Sequence, residues 1–256
     1  MAERSVSAIA TFVVALWATC AASGAVAQQA IGSTTTAQNQ VTREISGTAG
    51  PLSVGDAVYR NEVVRTGSDS LAKLIFLDST NLAVGPTSRV VLDRFVYEGD
   101  QSTGKVAVGL AKGLFRFTTG NLDKKAYTIT TPTAAIGVRG TVLDIDVLNA
   151  DTRVTLVEGR ALVCPRRNGV SLEQQARNCG QAFGGAGPRN GRCDCVELDH
   201  PGQTAQAKKS GGTTTASMTD ASVDFASLCT GDSSLCSGSS YGYSGLGGSG
   251  GVLCGR

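Results

Sequence analysis

Between Val41 and Val163 the chain consists of short β-branched, aromatic and apolar runs, each cut off by turn residues. No feature constrains its fold more. SLAKLIFL, NLAV, SRVVLDRFVY, KVAVGL, GLFRF, AYTIT, TVLDIDVL, RVTLVEG and RALVC are too short for typical helices and rich in strand formers. Between them lie Gly55-Asp56, Thr66-Gly67-Ser68, Asp78-Ser79-Thr80-Asn81, Gly85-Pro86, Glu98-Gly99-Asp100 and Gly120-Asn121, all turn chemistry. No long stretch repeats at the 3.6-residue period of an amphipathic helix. In SLAKLIFL, Ala72, Leu74 and Phe76 alternate with Leu71, Ile75 and Leu77, so both faces are apolar and the strand is central. The expectation is an all-β fold: a twisted stack of short strands, β-solenoid-like or a sandwich, which period alone does not separate. About 120 residues are enough for one core.

The ends read differently. Residues 1–27 have the form of a secretory signal: Arg4 in a short n-region, an apolar stretch through Ala22, and Ala25-Val26-Ala27 before a cleavage point at Gln28. No later segment has the length and apolarity of a membrane span, so export into an oxidising compartment is expected: the periplasm, outside or surface of a bacterium. Residues 28–40, rich in Ala, Thr and Gln, read as a disordered linker. Residues 164–256 read as a Cys/Gly/Ser-rich, largely irregular tail of low order, apart from a short helix around Ser222 to Leu228. Cys20 leaves with the signal. The other seven cysteines, Cys164, Cys179, Cys193, Cys195, Cys229, Cys236 and Cys254, fall in this tail, and an odd number means that at least one stays free, bonds another chain or binds something.

Charge and motifs exclude several function classes. The 23 basic and 21 acidic residues are dispersed, so the chain lacks the concentrated basic footprint that nucleic acid requires. The single histidine, His200, lies in the tail, and no G-x-S-x-G nucleophile elbow or phosphate loop is present. Asp144 and Asp146 share one face of a strand, with Leu143, Ile145 and Val147 on the core side. A carbohydrate-active enzyme could use that acid pair, although a polar strand face explains it as well. Cys193-Asp194-Cys195 with His200 could begin a metal site, but disulfides suit an exported chain better. No enzyme activity, cofactor or metal is expected.

Three segments resemble a known family. EVVRTGSDSLAKLIFLDSTNLAVGPTSRVVL resembles the opening of a FecR domain, with Asp78-Ser79-Thr80 as its Asp-rich turn. GLAKGLFRFTTG and TPTAAIGVRGTVLDIDV resemble its later strand and closing segment. Many FecR-family proteins are inner-membrane regulators that join a cytoplasmic anti-sigma segment, one membrane helix and a periplasmic sensory domain. This sequence has a signal in place of the cytoplasmic segment, so the resemblance implies a free-standing exported FecR-domain protein. Its domain would span residues 41–163 and act, without catalysis, as a sensory, scaffold or protein-binding module for an unidentified envelope or surface partner. Strand edges are the expected contact mode. A structural protein cross-linked through its cysteine tail is the alternative. In the closing segment Pro132, Gly137, Arg139, Gly140 and Thr141 are expected to form a structural corner. There Arg139 would tie carbonyls or pair with Asp78, Asp144 or Asp146, so that Arg139→Ala lowers thermal stability.

Overall fold

In the computed structural model, which describes residues 29–96, 105–122, 127–179, 193–210 and 213–230, the strands join in one 15-stranded sheet. The first are β1 (Ala30–Gln38), β2 (Val41–Ile45), β3 (Thr48–Pro51), β4 (Ala57–Tyr59) and β5 (Val63–Thr66). Next come β6 (Leu71–Phe76), β7 (Asn81–Val84), β8 (Arg89–Val96), β9 (Lys105–Thr118) and β10 (Tyr127–Thr130). The chain continues through β11 (Ala134–Val147), β12 (Asp151–Pro165) and the helix α1 (Leu172–Asn178). It ends, among the described residues, with β13 (Val196–Leu198), β14 (Thr204–Ser210), β15 (Thr213–Thr219) and a 3-10 turn over Ala226–Thr230.

The pairings resolve the sheet into two leaves that share their longest strands. One leaf runs β3-β2-β5-β8-β9-β10-β11-β12-β13, using the first half of β9 and β11 and the second half of β12. The other runs β4-β1-β6-β7-β9-β11-β12-β14-β15, using the opposite halves. Buried apolar side chains of both leaves belong to one core, with Leu74, Leu82, Phe115, Phe117, Ile129, Ile136, Leu143 and Leu156 among its fully buried members. The all-β expectation is met by an open sheet whose two leaves enclose a common core.

The shared strands change parity where they pass between leaves. On β11, Ala134, Ile136 and Val138 face the core, and then Leu143, Ile145 and Val147. On β12 the inward set moves from Val154 and Leu156 to Ala161 and Val163. An inserted residue causes such a flip. The register shifts between Arg139 and Val142 and again between Val142 and Leu143, so each strand carries an insertion and the pair keeps one inner face. Gly140 (φ 62°) and Gly159 (φ 87°) supply the left-handed backbone. A Cβ on Gly159 would lie 1.9 Å from the Gly140 carbonyl oxygen, so no side chain fits there.

Three sequence expectations need correction, and two segments need placement. The stretch 28–40 is not a disordered linker where it is described: Ala30–Gln38 is β1, paired with β4 and β6. Ile31, Thr34 and Thr36 are buried, so β-branched threonines fill a strand that the polar composition disguises. The tail is likewise not of low order throughout, because β13, β14 and β15 extend both leaves past residue 163. The segment at 222–228 holds a 3-10 turn and no α-helix. The proposed signal, residues 1–27, and the Gly-rich end, residues 231–256, lie outside the described residues. Among those described, no helix is long and apolar enough to cross a membrane.

Candidate functional site

The closing motif contributes backbone geometry. Pro132 is exposed in the turn before β11, where Thr131, Thr133 and Thr152 join their hydroxyls at 2.8 and 2.7 Å. Gly137 lies within β11, between Thr128 of β10 and Leu162 of β12. Gly140 forms the insertion described above. Thr141 is buried: its N–H donates to Thr119 Oγ1 at 2.9 Å, and its carbonyl accepts from Thr119 N–H at 3.0 Å. Arg139 does not act as expected. It is exposed, opposite Arg160, and among the described residues it pairs with none of Asp78, Asp144 or Asp146. Each of those carboxylates lies beside other groups, and a like-charged neighbour across the strands favours extension of Arg139 into solvent.

Asp144 and Asp146 do share the outer face of β11, and Leu143, Ile145 and Val147 do face the core. The two acids are built into cross-strand pairs: Asp144 opposite Arg116 and Asp146 opposite Arg153. Asp144 is 2% exposed, and both of its oxygens accept from Arg116, Oδ1 from Nε at 2.7 Å and Oδ2 from the terminal nitrogen at 2.8 Å. Oδ2 also accepts from the Phe225 N–H at 3.1 Å, and the Phe225 ring lies 5.6 Å from the Arg116 guanidinium. Burial raises the Asp146 carboxyl above its ordinary value, while Arg153 works against the shift. A proton-transfer role needs a carboxylate within reach of substrate. Asp144 instead docks a strap.

That strap, residues 222–230, crosses the outer face of one leaf. Val223 N–H donates to Thr155 Oγ1 on β12 at 2.7 Å, Phe225 binds Asp144 on β11, and Phe225 and Cys229 pack with Ala83 on β7. Leu71 on β6 and Leu114 on β9 complete this small apolar cluster. Sequence reasoning missed Arg116 and Phe225, because their partners are distant in the chain. The available signal was an arginine in the outward register of GLFRF, set directly between the inward Phe115 and Phe117.

The Asp-rich turn is a second buried polar knot. Asp78 is 2% exposed and accepts from Thr80 N–H at 3.0 Å, Thr80 Oγ1 at 2.6 Å and Tyr127 OH at 2.8 Å. Tyr127 OH in turn accepts from Leu122 N–H at 2.9 Å. Burial, and then the Asp78 charge, push the Tyr127 phenol well above its ordinary range, so it stays a donor. The turn pins β6 and β7 to the end of β9 through Gly120 and Asn121.

Residues 62–162 match the family described as FecR protein. The chain carries a FecR domain. No curated protein matches the chain. Two crystal structures of a proposed anti-sigma factor from Parabacteroides distasonis are similar to it at 11% identity and a TM-score of 0.40, over 62% of this chain and 60% of that one. The chain therefore spans less than two thirds of that protein. The FecR match begins just before β5 and stops inside β12, whereas the sheet continues on both sides of it. Both buried knots have at least one partner inside the FecR domain, and the strap brings the extension onto its surface.

Beyond the FecR domain, the cysteines among the described residues are occupied by disulfides. Cys164 bonds Cys195 and Cys179 bonds Cys193. The Cys179, Cys193 and Cys195 sulfurs converge within 4.8 Å, the arrangement of two adjoining disulfides. Cys229 is also disulfide-bonded, and Cys236 and Cys254 lie outside the described residues. His200 is exposed and contacts Asp199 at 2.7 Å, which lowers the Asp199 carboxyl below its ordinary value.

Proposed function

We propose that the chain is an exported, non-enzymatic envelope module that contacts a protein partner through the free edge of its sheet. The observation that carries this reading is β15. It is a seven-residue edge strand, TTTASMT, with no charge and no proline, paired only with β14 among the described residues. Such an edge presents backbone donors and acceptors to an added strand. The other edge strands, β3, β4 and β13, are shorter. Disulfides fit an oxidising compartment, and the FecR domain supports a regulatory or sensory role. The carboxylates best placed for chemistry are engaged in the fold.

In an antiparallel edge, alternate N–H groups face outward. Proline at Thr214 or at Thr215 therefore removes an outward donor in one variant and a ladder donor in the other. Site-specific crosslinking in cells from β15 should capture one envelope protein. The proline variant that keeps the thermal transition should lose that product. Equal crosslinking from β15 and from β4, or capture unaffected by either proline, contradicts edge pairing.

A further inference from the structure

A cavity of about 500 Å³ lies between the outer face of β10 and the segment Arg166–Gln175. Thr128 and Thr130 line one side, and Arg166, Arg167 and Gln175 the other. Gln175 is 7% exposed, and its Nε2 has no hydrogen-bond partner among the described residues. A buried amide donor left unmade is costly, so such a group points to a missing acceptor. Arg166 gives one donor to the Thr131 carbonyl at 3.1 Å and has others left, since a guanidinium carries five. Arg167 pairs with Asp194, and no carboxylate lines the cavity itself. The site is rich in donors and cationic, and Val170 and Leu172 give it apolar lining.

The outer wall is also held in place. Cys164 sits two residues before Arg166 and bonds Cys195, while Cys179 caps the end of α1 and bonds Cys193. Two disulfides thus clamp residues 164–179 at both ends onto neighbouring positions. Ser171 and Gln174 close a reciprocal capping box that fixes how α1 starts. A wall fixed in advance lowers the ordering cost of binding.

We infer that this disulfide-clamped cavity binds a small organic oxyanion, with Arg166 and Arg167 gripping its carboxylate or equivalent head and Gln175 donating from the floor. Arginine pairs with planar oxyanions through parallel hydrogen bonds, and the volume suits a small molecule. This goes beyond the proposed edge contact and does not depend on it.

The test titrates the full oxidised chain with N-acetylleucine, N-acetylleucine amide and inorganic phosphate, read by calorimetry. The acid should saturate, the amide should bind at least about tenfold more weakly, and Arg167→Gln should cost about tenfold or more, as loss of a charge-assisted bond implies. Arg167 is half exposed, so that variant should fold normally. Asp194→Asn frees Arg167 and should keep or tighten binding. Reduction with a dithiol should abolish binding by releasing the wall. Saturation by phosphate alone, sensitive to Arg167→Gln, keeps the oxyanion site and assigns it to phosphate-type heads. No saturation by either anion, equal binding of acid and amide, or indifference to Arg167→Gln overturns the inference.

Discussion

The FecR domain, residues 62–162, and the extension beyond it, residues 163–230, belong to one sheet but are held by different forces. The domain is organised around a continuous apolar core drawn from both leaves. Apart from the core contacts of β13 and β14, the extension is fastened by two disulfides, a capped single helix and a strap tied to a buried carboxylate. Hydrophobic burial needs only a repeated pattern along each strand. Fastening of the second kind needs particular partners far apart in sequence, and each can be removed singly. The difference teaches that a family match can end inside a strand while the structural unit continues.

Arg116 joins the two regions, and its loss should have the largest effect. Arg116→Ala leaves Asp144 buried without its ion-pair partner, and removing one member of a buried pair typically costs about 3–5 kcal/mol. Chemical denaturation should show this, and the double variant with Asp144→Ala should cost much less than the sum. An additive result would break the comparison, because the pair would then not act as a unit.

Opening the Cys179–Cys193 disulfide, which spans 14 residues, should cost up to about 3 kcal/mol on the chain-entropy account. That loss should fall on the extension and leave the β9–β11 amides protected. If reduction melts the whole sheet in one transition, the two regions are not separable.

Tyr127→Phe removes a donor to Asp78 and should cost about 1–3 kcal/mol, within the FecR domain alone. Glu62 gives a smaller, pH-dependent signal. Burial raises its carboxyl above the ordinary 4.5, against the pull of Tyr59 N–H and Arg43. A raised value in the folded state means that its contribution to stability is fully present below pH 4.5 and is lost as pH rises through the folded value. Glu62→Gln should flatten the fall in stability over that window; an unchanged slope would assign it elsewhere. Smallest of all, Arg139→Ala should shift stability by no more than about 0.5 kcal/mol, as for other exposed positions.

The strands were legible because alternation and turn chemistry are local. Val106, Val108 and Leu110, and then Leu143, Ile145 and Val147, announce their faces directly. β1 was not legible, since Thr34 and Thr36 look polar in composition yet are buried in a strand. The parity flip at Gly140 was visible only as a glycine; its match with Gly159 depends on register, which a single sequence does not specify. Arg139 drew attention because small residues surround it, whereas Arg116 carries the buried ion pair in an ordinary strand. Asp144 and Asp146 looked like an acid pair, and only the cross-strand partners reveal that each faces an arginine.

The central claim is that Asp144 anchors the strap and so makes the extension part of the FecR fold. Amide hydrogen exchange at Phe225 in the full chain tests it most directly, because that N–H donates to Asp144 Oδ2. Protection well above that of an unstructured amide, sharply reduced by Asp144→Asn, is the expected result. Exchange of Phe225 at the unprotected rate in the unaltered protein would contradict the claim.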